Sequence, residues 1–255
     1  MKKKNIIKFV ITWITSFFVL FSSYYAYLFY TTPNVQHLKR FHPTRKELQQ
    51  IRKTHFHETV QAPFRYQWIP LSRIPKRFQR TVIVAEDASF YVHHGVDWYE
   101  IKESFLKNWK SGKFLRGGST ITQQLAKNLF LSGEKSLKRK FREWFIAYRM
   151  EKELRKSRIL ELYLNIVEWG RGVFGIGAAA EYYFGKTPGD LTLDEMVRLA
   201  AVLPNPKKMR PDRVTYSVYW RSKVILHRLW FYHDITREEY QQALEHINHL
   251  YHHSR

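Results

Sequence analysis

Cysteine is absent from the 255 residues, which excludes disulfide staples and thiolate metal sites alike. Acid is scarce: 22 Asp and Glu stand against 43 Lys and Arg, a formal charge of +21. That imbalance directs the chain towards polyanions, whether nucleic acid, anionic lipid headgroups or phosphates, and does not choose among them. Strand-like alternation is also scarce, and the chain has no internal repeat and no low-complexity segment. No H-E-x-x-H occurs, and His93 and His94 are adjacent rather than a helical turn apart, so a zinc site is disfavoured. What is plentiful is apolar: 44% of residues are hydrophobic and 16% aromatic, enough for a packed core and too much for a disordered chain.

Residues 9–30 carry no charge, a run of 22 that at ~1.5 Å per residue covers a ~30 Å hydrocarbon core. Lys2, Lys3, Lys4 and Lys8 precede it, and the next Lys or Arg is Lys39. The positive-inside rule therefore places residues 1–8 in the cytoplasm and the remainder outside. The run is longer than a signal peptide's apolar core of about 7–15 residues and no A-x-A-like site follows Leu20, so an uncleaved single span is expected. Outside the membrane the positive charge points to phosphates and anionic lipid, and nucleic acid is not expected as a partner.

Residues 31–73 are polar and broken by Pro33, Pro43, Pro63 and Pro70, which reads as a juxtamembrane region. Within it, the Lys-, Arg- and His-rich stretch 41–57 suits a short amphipathic helix near the headgroups. Residues 74–255 form one domain of helical text, with helices expected over 85–90, 98–109, 120–131, 136–154, 156–167, 174–184, 192–203 and 216–230. Phe141, Trp144, Phe145 and Tyr148, and again Ile159, Leu160, Tyr163 and Leu164, recur at helical spacing and give each helix one buried face. Gly112, Gly117, Gly118, Gly133, Gly170, Gly185, Pro204 and Pro206 fall where helices should stop. The fold class is mainly α.

Three stretches carry chemistry. Glu86 and Asp87 directly follow the apolar run Val82-Ile83-Val84-Ala85, which puts an acid where a helix leaves the core and burial can raise a carboxyl towards general-base range. An acid pair at a helix end serves equally well as a cap. Arg116-Gly117-Gly118-Ser119-Thr120-Ile121-Thr122-Gln123-Gln124-Leu125-Ala126-Lys127-Asn128 opens a helix with glycines, hydroxyls, amides and a lysine, a workable anion cradle. It is not a P-loop, because Lys127 lies nine residues beyond Gly118 and no strand precedes the glycines. The competing reading is a flexible loop before a helix capped by Ser119 or Thr120. Lys135, Lys138, Arg139, Lys140 and Arg142 surround Glu143, which suits either a solvated basic face or a diphosphate site in which the acid orients cations or holds a metal.

Read together, these residues resemble the peptidoglycan glycosyltransferases, the monofunctional biosynthetic enzymes and the transglycosylase domain of penicillin-binding proteins that make up glycosyltransferase family 51. Glu86-Asp87-x-x-Phe90-x-x-His93-x-Gly95-x-Asp97 is the first motif, and Gly118-Ser119-Thr120-x-Thr122-Gln123-Gln124-x-x-Lys127-Asn128 the second. Arg139-Lys140-x-x-Glu143, then Ile159-Leu160-Glu161-x-Tyr163-Leu164-Asn165, then Leu191-x-x-x-Glu195 through Leu199-Ala200 to Pro204 follow in order, with a motif core over 82–206. Lys135 stands where several relatives have arginine, which keeps charge and loses the bidentate fork, and Val197 stands where relatives usually have alanine.

The resemblance implies a lysozyme-like, bilobal α-helical domain behind one transmembrane helix, in a bacterial cytoplasmic (inner) membrane with the domain on the periplasmic side. It implies lipid II and the growing lipid-linked glycan strand as substrates, inversion at the anomeric carbon, and Glu86 as general base. Glu143 would sit at the donor diphosphate, with a divalent cation, Mg²⁺ or Mn²⁺, as its partner and no organic cofactor. Lys127, Arg139 and Lys140 would stabilise the leaving group; Asp87, Phe90, His93, Gly118, Ser119, Thr120, Gln123, Gln124, Asn128 and Lys135 would complete substrate binding. Membrane lipid and proteins of cell-wall synthesis or division are the expected further partners. A lysozyme-type hydrolase or lytic transglycosylase would share fold and glutamate but needs no diphosphate cradle, and a non-catalytic scaffold would not need both acids and Lys127. Two S-x-x-K matches, at Ser104 and Ser132, are followed by no K-T-G, so transpeptidase activity is not expected.

Overall fold

The computed structural model describes residues 3–56, 64–111, 118–134 and 136–253. The first helix, α1, runs Lys3–Tyr30, and within it Lys8–Tyr30 is long and apolar enough to cross a membrane, with a mean hydropathy of 1.5 and none of its apolar window buried. Its far end is seated on the protein. Leu28 is buried, the Tyr25 ring meets Phe141 edge-on at 4.6 Å and the Phe29 ring meets Phe145 at 5.6 Å. Arg149 closes the junction: its guanidinium donates to the carbonyls of Phe29 at 2.9 Å and Thr32 at 3.0 Å and lies over the Phe29 ring. Helix C-termini leave carbonyls without intrahelical partners, and a cation there satisfies both the hydrogen bonds and the dipole.

The stretch after the anchor joins the core. Helix α2, Arg45–Phe56, is amphipathic as expected, yet it spends its buried side on the protein, with Leu48 fully buried and Arg52 paired to Glu168 at 3.0 Å. Val35, Leu38 and Phe64 belong to the same core cluster.

The helices that follow are α3 Lys76–Glu86, α4 Trp98–Ser111, α5 Ile121–Phe130, α6 Leu137–Glu153, α7 Lys156–Ile166, α8 Ile176–Phe184, α9 Leu193–Val202, α10 Tyr216–Phe231 and α11 Arg237–His253. Mainly α is therefore correct. Two elements differ from the sequence expectation. The helix expected over 85–90 ends at Glu86 and starts at Lys76, because Phe78 and Val82 are core residues one turn apart and Asp87 leaves helical geometry at φ −160°. Helix α11 was not expected, although Tyr240, Ala243, Leu244, Ile247, Leu250 and Tyr251 recur at helical spacing and pack on the core.

Helices α5 and α9 are the two central rods. Helix α5 is packed by α2, α6 and α7; α9, buried from Asp194 to Val202, is packed by α3, α10 and α11. A small sheet joins the halves: β1 Arg65–Tyr66 runs parallel to β3 Val173–Phe174, which pairs antiparallel with β2 Glu168–Gly170. Gly175 starts α8 at φ +77°, where a Cβ would come within 2.7 Å of the Asn165 carbonyl, so that turn requires glycine.

Candidate active site

Helix α3 buries Phe78, Val82, Ile83 and Val84, and this packing delivers its last residue, Glu86, to the floor of a cleft. The Glu86 side chain is 9% exposed. Its Oε2 accepts from Gln124 Nε2 at 2.9 Å, and Oε1 lies 3.4 Å from an Arg221 guanidinium nitrogen. Tyr163 donates to Gln124 Oε1 at 3.0 Å, which fixes the amide with its NH₂ towards the acid. Burial pushes the Glu86 carboxyl above its ordinary range; the Gln124 hydrogen bond, Arg221 and Lys127 oppose the shift, and Asp87 reinforces it.

Asp87 turns the other way. It accepts the N–H of Ile121, the first residue of α5, at 2.9 Å and contacts His93 Nε2 at 2.9 and 3.0 Å. The Gly95 N–H can only donate to His93 Nδ1, at 3.1 Å, so the ring proton is on Nε2 and points at Asp87. Thr120 caps α5 in a reciprocal box with Gln123, and its hydroxyl donates to the Gly95 carbonyl at 2.6 Å. Gly95 adopts φ +90°, and a Cβ there would lie 3.0 Å from Glu151 and 3.2 Å from the Ala147 carbonyl. The first motif thus holds the second by its helix N-terminus. Asp97 accepts from Ser89 and from the Glu100 N–H; burial works against its charge, but these bonds win and hold it below the usual carboxylate range.

The cation cluster lies on the first two turns of α6, whose N-cap is Ser136. Glu143, 4% exposed, accepts from Arg139 at 2.9 Å on one oxygen and from Lys140 on the other. Lys140 also donates to Ser119 Oγ at 2.8 Å. Burial pulls the Lys127 amine below its ordinary range; Glu143 resists this, while Arg139, Lys140 and Arg52 add to it. Lys127, Arg139 and Lys140 thus surround Glu143, with Arg52 and its partner Glu168 close by. The cleft that Glu86 opens into is lined also by Asp87, Ala88, Asp97, Glu100, Gly118, Ser119 and Thr120, so base and cradle meet at Ser119.

The residues expected at the site fall into groups. Glu86, Asp87, Gly118, Ser119 and Thr120 line the cleft, with Gln124 bonded to the acid. Phe90 and Gln123 are fully buried, Phe90 with Lys156 at 4.6 Å over its ring, and they build the wall. His93 orients Asp87; Asn128 is half-buried one residue beyond Lys127. Lys135 lies outside the described residues. As for a metal, both Glu143 oxygens are committed to cations, and among the described residues no three His, Cys, Asp or Glu side chains gather as ligands. A divalent ion at Glu143 would have to displace Arg139 or Lys140 and take its remaining ligands from the substrate's phosphates. Arg221 was missed because it lies beyond the motifs, on a helix whose sequence gives no sign of which arginine faces the base.

The transglycosylase family model matches residues 52–230. A biosynthetic peptidoglycan transglycosylase of Herminiimonas arsenicoxydans is 46% identical over 169 residues, covering 66% of this chain and 73% of that one. Its namesake from Nitrosospira multiformis is 39% identical over 219 residues, covering 85% and 95%. A crystal structure of penicillin-binding protein 1A from Haemophilus influenzae is 23% identical at a TM-score of 0.40, covering 71% of this chain and 18% of that chain, too distant to carry a fold assignment.

Proposed function

The chain belongs to the transglycosylase family and is a peptidoglycan glycosyltransferase, and on that premise we propose that it polymerises lipid II into linear glycan with Glu86 as general base. The observation that carries this reading is the position of Ser119: it lines the cleft with the buried Glu86 carboxylate and accepts from Lys140 of the cation cluster behind it.

The acceptor's GlcNAc 4-hydroxyl loses its proton to Glu86 as its oxygen attacks the anomeric carbon of the lipid-linked donor strand. The carbon–oxygen bond to diphosphate breaks with inversion, and undecaprenyl diphosphate leaves with the electron pair. A diphosphate needs little help from a general acid, so the demand falls on the base and on cations that meet developing charge. Lys127, Arg139 and Lys140 supply these, and Glu143 holds two of them close together, taking one N–H from each and leaving further donors for the leaving group. No step is routed through a metal. The apolar α1 and the lysines before it support a single-span protein with its domain on the periplasmic face, where the lipid-linked substrate lies.

The test is incubation of the purified full chain with lipid-linked disaccharide-pentapeptide and, separately, with finished peptidoglycan. Polymer from the first and no fragments from the second is the expected result. Cleavage of the second would make the protein a lytic enzyme.

A further inference from the structure

The carboxylate of Glu86 is held from two sides by two helices. Gln124 on α5 takes Oε2, and Arg221 on α10 approaches Oε1 at 3.4 Å. The Arg221 guanidinium is itself fixed from behind, because its Nε–H donates to the carbonyl of fully buried Ala201 at 2.9 Å. Arg221 lies fifteen residues past the end of the motif core at 206, on a helix to which none of the expected functions is attached.

We propose that Arg221 is a positioning residue for the general base, which holds the Glu86 carboxylate ionised and fixes the direction of one oxygen. This rests on the reading of Glu86 as base. The physical need is plain: a carboxyl buried in apolar packing keeps its proton, and a protonated acid cannot accept another. The same molecule shows what too strong a partner would do. Arg198 and Asp194 pair at 2.8 Å with both side chains 7% exposed, and there the hydrogen bonds and the cation overcome burial and hold the carboxyl below its ordinary range. Such an acid is a poor base. Arg221 is longer by 0.6 Å and 38% exposed, so solvent screens it, and burial still prevails at Glu86.

The other groups around Glu86 work in known directions. Asp87 favours the protonated form, and Lys127 on α5 the ionised one. Tyr163 on α7 reaches Glu86 only through Gln124, Arg228 on α10 donates to the Val84 carbonyl, and Asp97 and Glu100 line the cleft wall. Arg221 alone combines ion-pair distance to Glu86 with a fixed anchor among the contacts described here.

The experiment is the pH dependence of kcat/KM on lipid-linked disaccharide-pentapeptide for the full chain, Arg221→Met, Arg221→Lys and Glu86→Gln, with thermal midpoints alongside. Arg221→Met should move the acidic limb upward by about one pH unit, slowing turnover about tenfold on the acid side and leaving the alkaline plateau near wild type. Arg221→Lys should return the limb most of the way while lowering the plateau, since an ammonium cannot serve Ala201 and Glu86 as a fork does. An unmoved limb with a uniform loss at every pH would make Arg221 a packing residue and overturn the proposal. Should Arg221→Met fail to fold, Arg221→Gln, which keeps a donor for Ala201 without the charge, is read in the same way. If Glu86→Gln itself retains more than about a tenth of the rate, the base lies elsewhere and the earlier reading fails; if it is dead and the limb in Arg221→Met is unmoved, only this inference fails.

Discussion

Asp87 accepts the N–H of Ile121 at 2.9 Å, while its neighbour Glu86 faces the cleft and touches Gln124. Two consecutive carboxylates thus face different ways, one binding a helix N-terminus and the other lining the cleft. Asp87→Asn should therefore lower stability, by about 1–2 kcal/mol for a buried charge-assisted bond weakened at a helix start, and leave residual turnover. Glu86→Gln should stop polymerisation with the fold intact. Thermal melts and a polymerisation assay on both variants decide it, and the reverse pattern would exchange the roles.

The buried Glu86 carboxyl sits above its ordinary range, so the folded state favours its protonated form. Its favourable contribution to stability is complete below the unfolded pKa and is lost as pH rises through the higher, folded value. Glu86→Gln, always neutral, should accordingly be at least as stable as wild type near pH 7, with the difference vanishing in acid. Wild-type activity should rise with pH across the same interval, since the ionised form is the base. A variant less stable than wild type at neutral pH would count against burial as the governing cause.

Removing the Lys127 amine should cost on the order of 2 kcal/mol in transition-state stabilisation, because a charge-assisted contact to the leaving diphosphate disappears. Lys107, exposed on α4 and loosely paired to Glu103 at 3.8 Å, is the control. Lys127→Ala should lower kcat about thirtyfold and Lys107→Ala should leave it unchanged. Equal losses would mean that bulk charge, not a site, draws the donor.

Arg52 and Glu168 pair at 3.0 Å with 6% and 9% of their side chains exposed. Truncating one partner strands the other's charge in the core, so Arg52→Met should destabilise the fold by roughly 3 kcal/mol. A chemical-denaturation midpoint within error of wild type would refute the pair's importance.

The lack of cysteine makes topology easy to probe with single thiols. Gln241→Cys, on the exposed side of α11, should react with a membrane-impermeant maleimide in intact spheroplasts, and Lys3→Cys only after lysis. Labelling in the opposite order would invert the orientation.

Much of this was legible before any coordinates. The apolar run of α1, the buried face of α7 and the cap at Thr120 are local signals, and each falls where its local chemistry dictates. On α6 the expected face of Phe141, Trp144, Phe145 and Tyr148 is not the buried one, which is Glu143, Ile146, Ala147 and Met150, because Phe141 and Phe145 meet α1 instead. The clustering of Arg139, Lys140 and Glu143 was legible too, since residues three and four apart share a helix face. What was hidden is long-range. Nothing near Arg221 in the chain marks it as the neighbour of a glutamate 135 residues earlier, and nothing near Arg52 foretells Glu168. The stretch 31–73 read as a juxtamembrane region because it is polar and broken by prolines; Val35, Leu38 and Leu48 are spaced too irregularly to announce a core. Helix α11 was legible but unread: Tyr240, Ala243, Leu244, Ile247, Leu250 and Tyr251 keep helical spacing among polar and histidine residues.

The grip of Arg149 on the Phe29 and Thr32 carbonyls fastens the end of the anchor to α6. Since α6 also carries Arg139, Lys140 and Glu143, the distance from the end of the apolar span to the cationic cluster is set by this packing, and on the proposed membrane reading so is the height of the cluster above the bilayer. A lipid-linked diphosphate cannot leave the headgroup plane without dragging its tail out of oil, so a site at fixed altitude meets every donor at the same depth. Cutting the chain after the span would then do more than free the domain from the membrane: it would bare Phe141 and Phe145 and leave the cradle without its datum.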